Sequence, residues 1–470
     1  MTTLHERVYT PAATISAGIS RKDITPPEGI RARNWGPATW DRSVGQHHSM
    51  TLTALAIRGK GTEPLLMLAL DATWWRREED ERVLRERVIA STGIPAGNLM
   101  IALSHTHAGP ILSAGEALLD GGDLIPGYLE AIGQAAEIAG AEALASTGTA
   151  RIEWTTGRCQ VASNRELVID GQAVVGYFPA AAADDTVMIA RLTTASGQTL
   201  ATIVNYACHP TTLSWQNQSI SPDYVGAMRQ IVESETGHPC LFLQGASGEL
   251  APREQYTGNV AVADRHGAAL GYAVLAALNT MPPAGHCLEL TEIVESGASL
   301  AMWVAKPVEA DQTIRSAHKM ITLDLAEAPS LEELKKRWAD IDPRSLEERL
   351  NRVQALREGL GDKKVVDYPV WVWRMGDAVI VGSPGEPYSQ LQVNLRKRFP
   401  DTAVMVANFV NGPGFMYLPT VEAYEMGAYQ AWQTLFAAGS LERVEEHAAK
   451  LIGTVLSADV IGEHPGGSDV

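Results

Sequence analysis

Residues 104–110 read Ser-His-Thr-His-Ala-Gly-Pro, two histidines one residue apart where the apolar run LMIAL gives way to a turn. If the strand continues, both rings face one side with Cα atoms about 6.5 Å apart. Such a pair suits one shared metal ion, or one ligand beside one proton donor. The plainer alternative is two loop histidines bonded to backbone. His209, in NYACHPTTL, again ends an apolar run and meets a proline. Two strands that each end on histidine and a turn carry more weight than one, because α/β proteins gather their sites at strand carboxyl ends. Glu386 follows the run VIVG and a Ser-Pro-Gly turn, at the expected start of a helix, where a carboxylate also simply complements the helix dipole. The Gly/Pro-rich stretch NGPGFMYLPTVEAYEMGAYQ delivers Tyr417 and, twelve residues on, Tyr429; the alternative for each is a buried tyrosine with a bonded hydroxyl.

Competing chemistries fall away. HTHAGP lacks the Asp-His that completes an HxHxDH site, and no HExxH helix occurs. GASGE misses the GxSxG pattern of serine hydrolases because its last position is Glu249.

Short apolar strands must carry these groups. LTALAIRG from 52, PLLMLALDA from 64 and LMIALSHT from 99 alternate with helical stretches from 77 and 126. A second set follows: VMIARLTT, TLATIVNYACHP, a helix near 223–235, CLFLQGASG and a long helix over 259–280. Continuous apolar strands imply sheets covered on both faces, so the fold class is α/β. Residues 330–359 form a charged amphipathic helical pair broken near Pro343, with a capping-box-like SLEE at Ser330 and again at Ser345. Its charges read as a solvated face. The chain returns to strands at VWVWRMGDAVIVGS and TAVMVANFVNG and closes with a helix from about 440; residues 460–470 read as a disordered tail. A single catalytic domain over 1–459 is expected.

The 470 residues carry 55 acidic against 38 basic side chains, a formal charge of −17, with no Lys/Arg stripe. That speaks against nucleic acid and anionic membrane as partners. The N-terminus has no basic segment leading into an apolar stretch, so a cytoplasmic protein is expected. Cys159, Cys208, Cys240 and Cys287 are widely spaced and read as buried thiols.

Taken together, these residues resemble the neutral (non-lysosomal) ceramidase family. AGISRKDITPP, SHTHAGP, SNRE, NYACHP, SPDYVGA, QGASGELAP, GSPGEP and YLPT…YEMGAY occur in that family's order over nearly the whole chain. The resemblance implies a layered α/β/β/α catalytic domain with mixed sheets and outer helices. It implies a Zn2+ ion held by His105, His209, Glu386 and Tyr417, with His107, Arg165 and Tyr429 as the other active-site groups. Imidazole and carboxylate suit zinc, and a catalytic site keeps a position open. The implied mechanism is attack of activated water on an amide carbonyl, with His107 as general base and then acid, and Arg165 and Tyr429 at the oxyanion. Asp223, in SPDYVGA, is either a partner of a ligand histidine or a helix cap.

Three departures qualify the resemblance. The family's GDVSPN serine corresponds to Ala251 in GELAPR, which removes a serine nucleophile there; Ser247 is four residues away. The signal peptide and C-terminal immunoglobulin-like domain of secreted members are not expected here, so a soluble or small amide is expected in place of membrane ceramide. The segment IRARNWGPATW replaces a Gly/Met-rich loop, leaving Trp35 and Trp40 as pocket walls or as packed aromatics. The sequence thus points to a zinc-dependent amidohydrolase acting on a small-molecule amide, with an ester or lactone hydrolase and a catalytically silent binding protein as alternatives. It leaves homo-oligomerisation open.

Overall fold

The computed structural model describes residues 4–327, 329–361, 363–412 and 416–457 and is built on two mixed sheets laid face to face. The larger contains β1 (Ala12–Asp23), β2 (Thr51–Arg58), β3 (Leu65–Leu70), β4 (Leu99–Leu103), β5 (Gly148–Arg158), β6 (Thr186–Thr194), β7 (Thr199–Tyr206) and β8 (Cys240–Gln244). Their spatial order is β8-β7-β6-β5-β1-β2-β3-β4, parallel at β3–β4 and β7–β8 and antiparallel elsewhere. The smaller contains β9 (Ile314–Asp324), β10 (Val365–Met375), β11 (Ala378–Gly382) and β12 (Ala403–Ala407), in that order, with only the last pair parallel.

The two-residue period of a strand builds the layers. Leu55 and Ile57 of β2 point inward with Trp371, Trp373 and Met375 of β10, while Leu52, Ala54 and Ala56 point outward. The outward face is covered by α1 (Glu78–Thr92) and α2 (Ile125–Ala145) through Leu84, Val88, Ile132 and Ala136. Over the β5–β8 half lie α3 (Tyr224–Thr236) and α4 (Val260–Thr280). Between β9 and β10 the chain makes α5 (Leu331–Arg337) and α6 (Pro343–Leu360). The far face of the smaller sheet, Val370, Val372, Val379 and Val381, packs on α7 (Gln390–Arg398) and α8 (Ser440–Leu456). The layers are therefore α/β/β/α, and burial on both faces explains the unbroken apolar runs. The four cysteines are free and buried. Among the described residues no helix is long and apolar enough to cross a membrane. The expected tail at 460–470 lies outside the described residues.

Two expectations for the charged pair are corrected. Ser330 and Glu333 do form a capping box, but α6 is capped by Asp342, whose carboxylate accepts the Ser345 amide at 3.0 Å. Pro343, with φ preset for the first helical turn and no amide to satisfy, moves the helix start upstream of the second SLEE. Nor is the pair simply a solvated face. Leu334 and Trp338 are buried, and the Arg349 guanidinium lies 5.4 Å from the Trp338 ring and 5.2 Å from that of Trp432. The start of α6 sits on residues 33–41: Arg344 pairs with Asp41 at 3.2 Å, and a Cβ on Gly36 would lie 3.0 Å from Ser345 Cα.

One segment brings distant strand ends together. β4 and β8 are opposite edges of the larger sheet, yet they approach each other, and residues 408–411 bridge them. The Asn408 amide donates to Gln244 O of β8 at 2.8 Å, while the Leu103 amide of β4 donates to Phe409 O at 3.2 Å. Asn411 accepts the Ile101 amide at 2.7 Å. Phe409 and Asn411 both have positive φ, the local distortion that lets one strap serve two edges.

Candidate active site

His105 and His107 do not extend the strand as expected. β4 stops at Leu103, and His105 takes a left-handed φ of 64°. The rings converge nonetheless, with the two Nε2 atoms 3.1 Å apart and the ring centroids 4.6 Å apart. The loop is held by bonds from Ser104 N to Leu70 O and from Thr106 N to Ala72 O, and the Phe409 ring of the strap stacks on His105 at 3.8 Å. The His107 amide donates to Pro210 O at 3.3 Å, which ties this loop to the one after β7.

His209 is fully buried. Its Nδ1 lies 2.7 Å from Ser247 O, and that of His105 lies 3.3 Å from Thr73 O. A carbonyl can only accept, so both rings hold their proton on Nδ1 and present a bare Nε2 to the same space. The Glu386 carboxylate reaches into it, with Oε2 2.8 Å from His209 Nε2 and 3.7 Å from His105 Nε2. Glu386 is not in a helix, as the sequence suggested. It belongs to a two-residue strand, Glu386–Pro387, paired in parallel with Tyr417–Leu418, and α7 begins only at Gln390. That pairing sets Glu386 opposite Tyr417, whose hydroxyl accepts from Arg165 Nη2 at 3.2 Å. Arg165 is buried and anchored by Nη2 donating to Gly248 O at 2.7 Å; the same Nη2 lies 3.2 Å from His209 Nε2.

The structure thus brings His105, His107, His209, Glu386, Tyr417 and Arg165 into contact. Tyr429 stands one ring away, 5.7 Å from Tyr417 and edge-on. Burial pushes the His105 imidazole down to about 3, opposed mainly by Glu386, and drives His107 and His209 well below their ordinary range. For His107 the facing His105 and His209 add to the effect. Burial and Glu386 raise the Tyr417 hydroxyl. The nitrogens of His105, His107 and His209 fall within 4.8 Å of one another. Two backbone-oriented imidazoles facing a carboxylate and a phenol form a donor set that fits zinc.

Ala251 lies in Leu250–Pro252, where its carbonyl accepts from Ser163 Oγ at 2.9 Å. Ser247 sits behind His209, its Oγ 3.3 Å from Nδ1 and away from the converging atoms. Asp223 takes the cap role: its carboxylate accepts the Tyr224 and Leu213 amides. Trp35 lines the site, 5.4 Å from the His107 ring, while Trp40 is packed with its Nε1 on Trp215 O. Sequence reasoning missed Trp74, 5.0 Å from His107, and Phe409. Both follow apolar runs, a positional signal shared with the histidines.

No protein-family model matches the chain, and no curated protein matches it in sequence. Solved structures do match in three dimensions. The neutral ceramidase from Pseudomonas aeruginosa superposes with a TM-score of 0.67 at 17% identity, over 94% of this chain and 74% of that one. A ceramidase complexed with C2 gives 0.66 at 15% identity, over 97% and 77%. The chain therefore has the neutral ceramidase fold.

Proposed function

We propose that this chain is a zinc-dependent hydrolase that cleaves an amide bond in a small, soluble substrate. The observation that carries this reading is the convergence of three imidazoles and the Glu386 carboxylate at strand ends of a neutral ceramidase fold. His105, His209, Glu386 and Tyr417 would hold the ion. When bound, zinc supplies Lewis acidity and lowers the pKa of a water to about 7.

The chain's own residues divide the remaining work. His107, kept neutral by burial, can take a proton during attack and return it to the departing amine. Arg165, fixed by Gly248 O, and Tyr429 supply donors toward charge developing on the carbonyl oxygen. With Ala251 where the resemblance expects serine, and Ser247 behind His209, acid–base chemistry accounts for the reaction without a covalent serine step. The surroundings favour a polar substrate: Arg349 touches Trp432, and Trp432 touches Tyr429 at 5.1 Å, so α6 brings charge close to the site. The test is a panel of soluble N-acyl amides. We expect turnover by the parent chain and, in His209→Ala, loss of turnover together with one equivalent of bound metal relative to the parent; turnover unchanged in that variant would overturn the assignment.

A further inference from the structure

The loop between β1 and β2 carries adjacent histidines, His47 and His48, that take no part in the site above. Backbone bonds hold the loop along residues 218–220: Val44 N donates to Gln218 O, His47 N to Ile220 O, and Ile220 N to Gly45 O. In an extended strand, neighbouring side chains diverge. Here both imidazoles lie together, ring centroids 3.9 Å apart, and face Asp264 on α4. Asp264 Oδ1 is 3.1 Å from His47 Nε2 and 2.8 Å from His48 Nε2.

Protons alone serve this arrangement poorly. His48 Nε2 makes a hydrogen bond to the carboxylate, whereas the buried His47 Nε2, 3.1 Å from the same oxygen, is left without a satisfied one. His47 Nδ1 lies 3.0 Å from Ser221 Oγ. With the ring proton donated there, Nε2 turns a bare lone pair toward a carboxylate oxygen. A divalent ion accepts both lone pairs and the carboxylate at once.

We propose that His47, His48 and Asp264 form a second metal site, taking a zinc-type divalent ion on two imidazole nitrogens and one carboxylate oxygen. The side chain of Asp264 is 43% exposed, which leaves a remaining coordination position to water. Gln230, whose amide lies 3.1 Å from His48 Nδ1, is the outer partner; turned about, its oxygen accepts the Nδ1 proton and frees Nε2. The ion fastens the loop to α4. Ser221 extends that clamp toward the active site, since its carbonyl accepts from Thr106 Oγ1 at 2.7 Å and its amide donates to Ala108 O at 2.9 Å.

Metal-free protein titrated with Zn2+ tests the site as a difference. Asp264→Asn and His48→Ala should each bind one equivalent less than the parent, whatever total the parent reaches. Zinc-soaked crystals of the unaltered chain should show a zinc-edge anomalous peak about 2.0–2.1 Å from both Nε2 atoms. Unchanged stoichiometry in both variants, or no such peak, would overturn the proposal.

Discussion

In the proposed mechanism, His107 decides which bond the site can break. An amine is a poor leaving group and needs a proton as it departs, whereas an activated ester does not. His107→Gln should therefore lower amide turnover by about 10²–10⁴-fold, the usual worth of a general acid–base, and activated-ester turnover much less. Equal losses measured on the two substrates would remove the proton-shuttle role. Glu249 makes a separate prediction about stability. Its buried carboxyl sits on the Ser389 amide, and burial raises it to about 7 from an ordinary 4.5. Between those values the folded chain holds a proton that the unfolded chain has released. This contribution is complete below pH 4.5 and disappears as pH rises through about 7, on the order of 3 kcal/mol across the window. Glu249→Gln should flatten that decline in denaturant titrations at stepped pH. At this scale His105, His107 and His209 were legible because each ends an apolar run at a turn. The aromatic groups that hold them were not, since Phe409 reaches His105 only through a positive-φ strap that pairing alone reveals.

At the scale of elements, helix contacts can be tested by small substitutions of opposite sign. On α4, a Cβ at Gly267 would lie 2.3 Å from Tyr224 O and 2.7 Å from Met228 N, both backbone atoms of α3. Gly267→Ala must push these helices apart, and a loss of about 1–3 kcal/mol is expected in thermal or denaturant unfolding. Gly453, within α8, has no neighbouring atom within 4 Å of such a Cβ. Gly453→Ala should raise stability by about 0.4–1 kcal/mol. The helices and the continuous apolar strands were readable from apolar periodicity, whereas the strands Gly148–Arg158 and Ile314–Asp324 and the hairpin of His286–Glu295 with Ser299–Pro307 were not singled out. Errors fell where tertiary partners decide: Glu386 pairs with Tyr417 from thirty-one residues away, and the charged α6 places Arg349 on two tryptophans. Local sequence holds neither fact.

The whole molecule explains how strands from opposite halves of one sheet share one centre. Two sheets packed on a common core, joined across their rims by residues 408–411, set the ends of β4 and β7 beside the Glu386–Tyr417 pair. This architecture persists in the ceramidase comparisons at 15–17% identity. Layering was legible from strands apolar on both faces; the meeting of opposite sheet edges was not, because it depends on a bridge formed by a segment 300 residues beyond β4. The most direct test of the central claim is product formation from a soluble N-acyl amide by the metal-free chain, before and after Zn2+ is added. The account predicts no turnover without the ion, recovery with it, and no recovery in Glu386→Gln. Turnover by the metal-free chain, or parental rates in Glu386→Gln, would contradict it.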